Sequence, residues 1–130
     1  MNILVDSSVF IDFLRSGMGD LPAIFDLLER DSANLYIPTI VITEIWAGQS
    51  MKRKSSKDSV ERILRRFIRV DLDEKIAKKA GGLMRDSNVL DASDAIIAAT
   101  VLESNTELAT QNKKHFKSIK GLKFFNPQKS

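Results

Sequence analysis

Three acids in this chain stand where an ordinary solvated acid would not. Asp6 follows at once on the apolar run Ile3-Leu4-Val5. Glu44 is the one acid among Ile40, Val41, Ile42, Ile45 and Trp46. Asp94 opens the apolar segment Ala95–Leu102, three residues after Asp91 and so on the same helical face. A lone carboxylate in apolar surroundings is costly to bury unless something pairs it. Carboxylate and amide oxygens suit Mg²⁺ or Mn²⁺. With no cysteine the chain has neither disulfides nor thiolate metal sites, and a single histidine, His115, argues against zinc and against a histidine-based triad. His115 itself reads as a surface or capping residue.

A magnitude decides what a cluster of these acids needs. Two like charges about 4 Å apart repel by roughly 4 kcal/mol at an effective dielectric near 20. A helix N-terminus favours the Asp94 anion by only ~0.3–1 kcal/mol. Gathered carboxylates therefore require a proton, basic partners or a doubly charged cation. Each acid also has a plainer reading. Asp6 can cap the helix that follows it, and Asp91 reads as a cap before it reads as a ligand.

The positioning elements follow from periodicity. Ile3–Val5 reads as a strand buried on both faces, with Ser7 and Ser8 starting a helix that carries Val9, Phe10, Phe13 and Leu14. Residues 20–31 form a second helix, with Pro22 in its first turn. Leu35–Ile37 is a strand stopped by Pro38, and a helix then runs through Trp46 to a Gly48 C-cap. Met51–Asp58 is read as a basic, mobile loop. Val60, Ile63, Leu64 and Phe67 give a helical stripe, and residues 68–72 alternate as a strand. Asp71 or Asp73 caps a helix carrying Ile76, Ala77, Ala80, Leu83 and Met84. A buried helix entered at Asp91 ends at Asn105, Glu107–Thr110 is a strand, a weak helical turn follows, and Lys123–Phe125 is a candidate last strand.

About five strand candidates alternating with helices imply a parallel α/β sheet, which the resemblance named below extends to a three-layer sandwich with helices on both faces. Asp6 and Asn112 then both lie at carboxyl ends of strands, where such sheets bind ligands.

The chain has 130 residues with 43% hydrophobic and 28% charged, which fits one soluble globular domain spanning 1–130. No apolar run is long enough for a membrane span, and no signal peptide is read at the N-terminus. Net charge is +3, but residues 51–66 alone carry a balance of +5 and residues 113–130 a balance of +6. Basic segments thus flank an acidic remainder, a layout that attracts phosphate backbones or simply solvates a face. Lys52, Arg53, Lys54, Arg62, Arg65 and Arg66 are the candidates for contact with a phosphate backbone.

Four segments in order resemble the PIN domain, and specifically the VapC-type toxin ribonucleases of toxin–antitoxin pairs. They are Leu4-Val5-Asp6-Ser7-Ser8, Thr43-Glu44-Ile45, Ser93–Thr100 and Ala109-Thr110-Gln111-Asn112. The resemblance spans nearly the whole chain. It implies a five-stranded parallel sheet, and Asp6, Glu44 and Asp94 as the acids around Mg²⁺ or Mn²⁺. Asn112 falls on the family's fourth position, where a neutral amide removes one anion and disfavours a second metal. Ser7 and Thr110 are the supporting candidates, Ser7 by orienting the Asp6 carboxylate. The implied activity is metal-dependent hydrolysis of RNA phosphodiesters in the cytoplasm. The implied partners are an antitoxin protein and a second copy of the chain. Two other readings stand beside it: a PIN-like nuclease of RNA processing without an antitoxin, and a catalytically silent RNA- or protein-binding module.

Overall fold

A computed structural model describes residues 1–88 and 90–127. The end of the lysine-rich tail, residues 128–130, lies outside the described residues. The centre is β1 (Asn2–Val5), whose Ile3, Leu4 and Val5 are fully buried. Each such side chain contributes roughly 1.5–3 kcal/mol on burial. On one side β1 pairs in parallel with β2 (Asn34–Pro38), and β2 with β3 (Ile68–Val70). On the other side it pairs in parallel with β4 (Glu107–Ala109). The order is β3-β2-β1-β4, so the chain reverses direction of travel across the sheet at β1. That is the topological switch, and the crevice there opens at the carboxyl ends of β1 and β4.

Four strands are described where five are expected. Lys123–Phe125 meets β4 through one residue only: Leu108 N–H donates to Lys123 O and Phe125 N–H donates to Leu108 O, both at 2.9 Å. Gly121, at φ 85°, turns the chain into this short bridge.

Helices flank the sheet. They are α1 (Ser7–Ser16), α2 (Leu21–Glu29), α3 (Thr39–Trp46), α4 (Lys54–Leu64), α5 (Glu74–Arg85), α6 (Ala92–Ser104) and α7 (Lys113–Phe116). In α6, Ala95, Ile97, Ala98, Ala99 and Val101 are buried, as expected of a central helix, and Asn105 closes it in the left-handed region. Asp73 rather than Asp71 caps α5, accepting from Ile76 N–H at 2.8 Å.

Two expectations are corrected. Met51–Asp58 is not a loop: Gln49–Lys52 forms a 3-10 turn and α4 begins at Lys54. The first turns of α4 bury little, and Lys54 pairs with Asp58 at 3.0 Å across one turn, so no apolar stripe announces them. Gly48 is not the C-cap of α3. Ala47 closes that helix in ordinary right-handed geometry, and Gly48 starts the 3-10 turn. Phe67 lies beyond the end of α4 and packs between Phe10, at 5.1 Å between ring centroids, and Phe25, at 6.0 Å.

Candidate active site

Asp6 is the N-cap of α1 and is also buried, at 3% exposure, so it is held from several sides. Its N–H donates to Ala109 O at 3.1 Å, which carries the β1–β4 ladder one step past the strands. Its Oδ1 accepts from Ser8 N–H at 3.0 Å and from the Ser8 hydroxyl. Its Oδ2 accepts from the Thr110 hydroxyl at 2.6 Å. Each hydroxyl has a second duty. Ser8 Oγ accepts from Gln111 N–H at 2.9 Å, and Thr110 Oγ1 accepts from Asn112 N–H at 3.0 Å. An accepted N–H leaves each hydroxyl proton free to point at the carboxylate. The turn after β4, including Asn112, is thereby fixed relative to Asp6. The Val9 N–H also bonds this carboxylate, so Asp6 is held from the first turn of α1 and from the turn after β4.

Ser8, not Ser7, therefore orients Asp6. On a helix the two differ by about 100° in direction, and a cap side chain meets the second and third residues of the first turn rather than the first. Ser7 instead stands beside Glu44 and favours its ionised form. Asn112 is exposed, and its side chain makes no capping bond to α7.

Glu44, on α3, is partly buried, and its Oε1 is buried with no hydrogen-bond partner. Asp94, in the first turn of α6, donates its N–H to Asp91 Oδ1 at 2.8 Å, so Asp91 is the cap. Its Oδ2 lies 3.3 Å from His115 Nδ1. His115, on α7, was legible only as a surface residue, because its partner is distant in sequence.

Electrostatics tie these groups together. Burial pushes the Asp6 carboxyl above its usual range, with the Ser8 and Thr110 bonds pulling back. Burial also raises Glu44; Ser7 opposes this, and the charges of Asp6, Asp94 and Asp91 add to it. Burial raises Asp94, Asp91 pushes it further, His115 lowers it and Asp6 raises it again. Four acids from β1, α3 and α6 thus share one neighbourhood. As posed, they are not a closed ligand set: among the described residues no three His, Cys, Asp or Glu side chains stand close enough to hold a metal ion. The donor set nonetheless fits a hard divalent cation. Its members are oxygens, they repel one another, and Glu44 Oε1 is a buried acceptor without a donor.

The basic candidates scatter. Arg53 lines a cleft of about 610 Å³ together with Glu44, Arg15, Ile11, Leu14 and Met51. Lys52, Lys54, Arg62, Arg65 and Arg66 are exposed but do not line it. Arg66 pairs with Glu29 at 3.2 Å and lies 4.9 Å from the Phe25 ring centre, and Arg62 reaches Ser59 Oγ at 3.3 Å. A second hollow of about 590 Å³ shares Thr110 with the site and is lined by Lys113, Lys114, Gln111 and Asp20. Arg15, Lys113 and Lys114 were not singled out in the sequence, since no pattern links them to the acids.

A parallel sheet switching direction at β1, with acids gathered at its carboxyl edge, defines a nuclease-like α/β fold, and residues 3–122 match the PIN domain model: the chain belongs to the PIN-domain family. It is 34% identical over 127 residues to Ribonuclease VapC10 of Mycobacterium tuberculosis, covering 93% of this chain and 90% of that protein. Among solved structures it resembles VapBC2 from Rickettsia felis, solved bound to a promoter DNA fragment, with a TM-score of 0.84, 22% identity, and coverage of 97% and 98%. It also resembles a toxin–antitoxin complex from Klebsiella pneumoniae, with a TM-score of 0.74, 26% identity, and coverage of 96% and 97%. No helix among the described residues is long and apolar enough to cross a membrane.

Proposed function

We propose that the chain is a divalent-metal-dependent endoribonuclease and the toxin half of a toxin–antitoxin pair. The observation that carries this is the convergence of Asp6, Glu44 and Asp94, with an orphaned Glu44 Oε1, at the switch point of a PIN-family sheet. The 34% identity to a VapC ribonuclease supports the reaction, and the Klebsiella complex supports an antitoxin partner. Family resemblance adds a homodimer and a cytoplasmic setting, with which the lack of cysteine agrees. The whole of 1–130 acts as one PIN-like unit.

Asp6, Glu44 and Asp94 would hold Mg²⁺ or Mn²⁺. When bound, such an ion lowers the pKa of water and stabilises charge on a phosphate. The chain's own residues do the rest. Ser8 and Thr110 keep Asp6 in one orientation at the carboxyl end of β1. His115 holds Asp94 and offsets the Asp91 charge beside it. Asn112 presents a neutral amide that orients water or a second ion without adding an anion. Lys and Arg side chains, Arg53 first among them, bind phosphates more than bases.

An RNase assay with added Mg²⁺ or Mn²⁺ tests the proposal. Wild type should cleave RNA, chelation should abolish cleavage, and Asp94→Asn should reduce it by several orders of magnitude. Undiminished cleavage by Asp94→Asn would remove the mechanism. The open pose of the acids is also what a silent binding module would show. That reading expects no cleavage with any divalent ion.

A further inference from the structure

The cleft beside Glu44 has features the acids alone do not require. Its apolar floor is made by Ile11, Leu14 and Met51. Ile11 and Leu14 stay 39% and 36% exposed on α1, a cost in water that a flat apolar ligand would relieve. Its rim carries two guanidiniums, Arg15 and Arg53, and neither has an ion-pair partner among the described residues. Its far wall is α4 and the 3-10 turn, which present hydroxyls such as those of Ser56 and Ser59. The volume of about 610 Å³ lies within the roughly 300–1,000 Å³ range of clefts that hold small ligands.

We infer that this cleft is a nucleotide subsite, taking the base and phosphate of one single-stranded RNA residue next to the bond that is cut. The inference rests on the nuclease reading above. A ligand that is flat and apolar on one side and anionic on another matches this lining, and a nucleotide has both parts. Serine hydroxyls can pair with base edges, and a guanidinium can hold a phosphate by a two-pronged bond or stack on a base. A base reaches an apolar floor only when it leaves its stack, so the substrate is unpaired at this position. Glu44 forms part of the wall, which puts the bound residue directly beside the acids. The cleft thereby sets which residue flanks the cut.

The test uses Arg15→Ala and Leu14→Ser, both at exposed positions, with Lys120→Ala as a control cation outside the cleft. Steady-state cleavage of single-stranded RNA is expected to show KM raised about tenfold in Arg15→Ala, with kcat nearly unchanged. Cut-site mapping on a randomised RNA pool is expected to show Leu14→Ser flattening the base preference at one flanking position. Lys120→Ala should do neither. In parallel, RNA substituted with 4-thiouridine is photocrosslinked to the Asp94→Asn protein, where bound RNA should persist uncut. Crosslinked peptides should contain residues 11–15 or 50–59. Unchanged KM and cut preference, with crosslinks elsewhere, would overturn the subsite. So would variants that weaken only the grip of a partner protein. Cleavage without crosslinks in the cleft would refute the subsite and spare the nuclease reading. Crosslinks in the cleft without cleavage by wild type would refute the nuclease reading and keep the cleft as an RNA site.

Discussion

Thr110 donates its hydroxyl proton to Asp6 Oδ2 at 2.6 Å, joining two residues 104 positions apart. The Thr110 hydroxyl oxygen also accepts the N–H of Asn112, so a single hydroxyl fixes the acid and the turn that faces it. Removing it leaves a buried carboxylate oxygen and a backbone N–H without partners. Thr110→Val should destabilise the fold by about 1–3 kcal/mol in urea unfolding. Mn²⁺ affinity should fall as well, because Asp6 then binds its proton more tightly.

Neutralising an acid of the cluster has the opposite effect on the metal-free fold. Asp6, Glu44 and Asp94 are all pushed upward, first by burial and then, for Glu44 and Asp94, by one another's charge. Glu44→Gln should therefore raise the metal-free melting temperature at neutral pH while abolishing cleavage. A lower melting temperature would mean that the contact with Ser7 outweighs burial and the neighbouring charges at Glu44.

The pH dependence follows from the same directions. Each acid holds its proton more tightly in the folded chain than in the unfolded one. Between the ordinary carboxylate range and neutrality the folded state binds more protons, so these groups make stability fall as pH rises through that window. The pH profile of urea unfolding without metal should show this slope, and Glu44→Gln should flatten it. Affinity for Mn²⁺ runs the other way and should strengthen as pH rises, since protons compete for the same oxygens.

His115 Nδ1 lies 3.3 Å from Asp94 Oδ2 and lowers the Asp94 carboxyl against burial and the Asp91 charge. His115→Ala should weaken Mn²⁺ binding up to about tenfold by calorimetry, with little change in fold stability.

Arg53 and Arg66 separate by environment. Arg53→Ala should weaken RNA binding and reduce the salt slope of log affinity by about one. Arg66→Ala should leave RNA binding alone and cost about 0.5–1 kcal/mol of stability, because Glu29 and Phe25 engage its guanidinium.

The sequence was most legible where local chemistry and burial agree. Ile3–Val5 ending at Asp6, the apolar α6 entered through Asp91 and closed by Asn105, and the β4 run were all readable, since burial on both faces leaves a continuous apolar run. The start of α4 was hidden because its first turns are polar and held by the Lys54–Asp58 pair rather than by packing. The assignment of Ser7 in place of Ser8 failed on helix phase, which composition does not reveal. The fifth strand shrank to a single bridge because Lys123–Phe125 meets only one residue of β4. His115, Arg15 and Lys113 became visible only when the topology set α7 and α1 beside the acids.

The most direct measurement is anomalous diffraction from crystals soaked in Mn²⁺. A peak bounded by the Asp6 carboxylate, Glu44 Oε1 and Asp94, about 2.0–2.3 Å from the ligating oxygens, is the expected result. No peak at that crevice, with each carboxylate instead neutralised by its own basic neighbour, would contradict the metal-dependent nuclease.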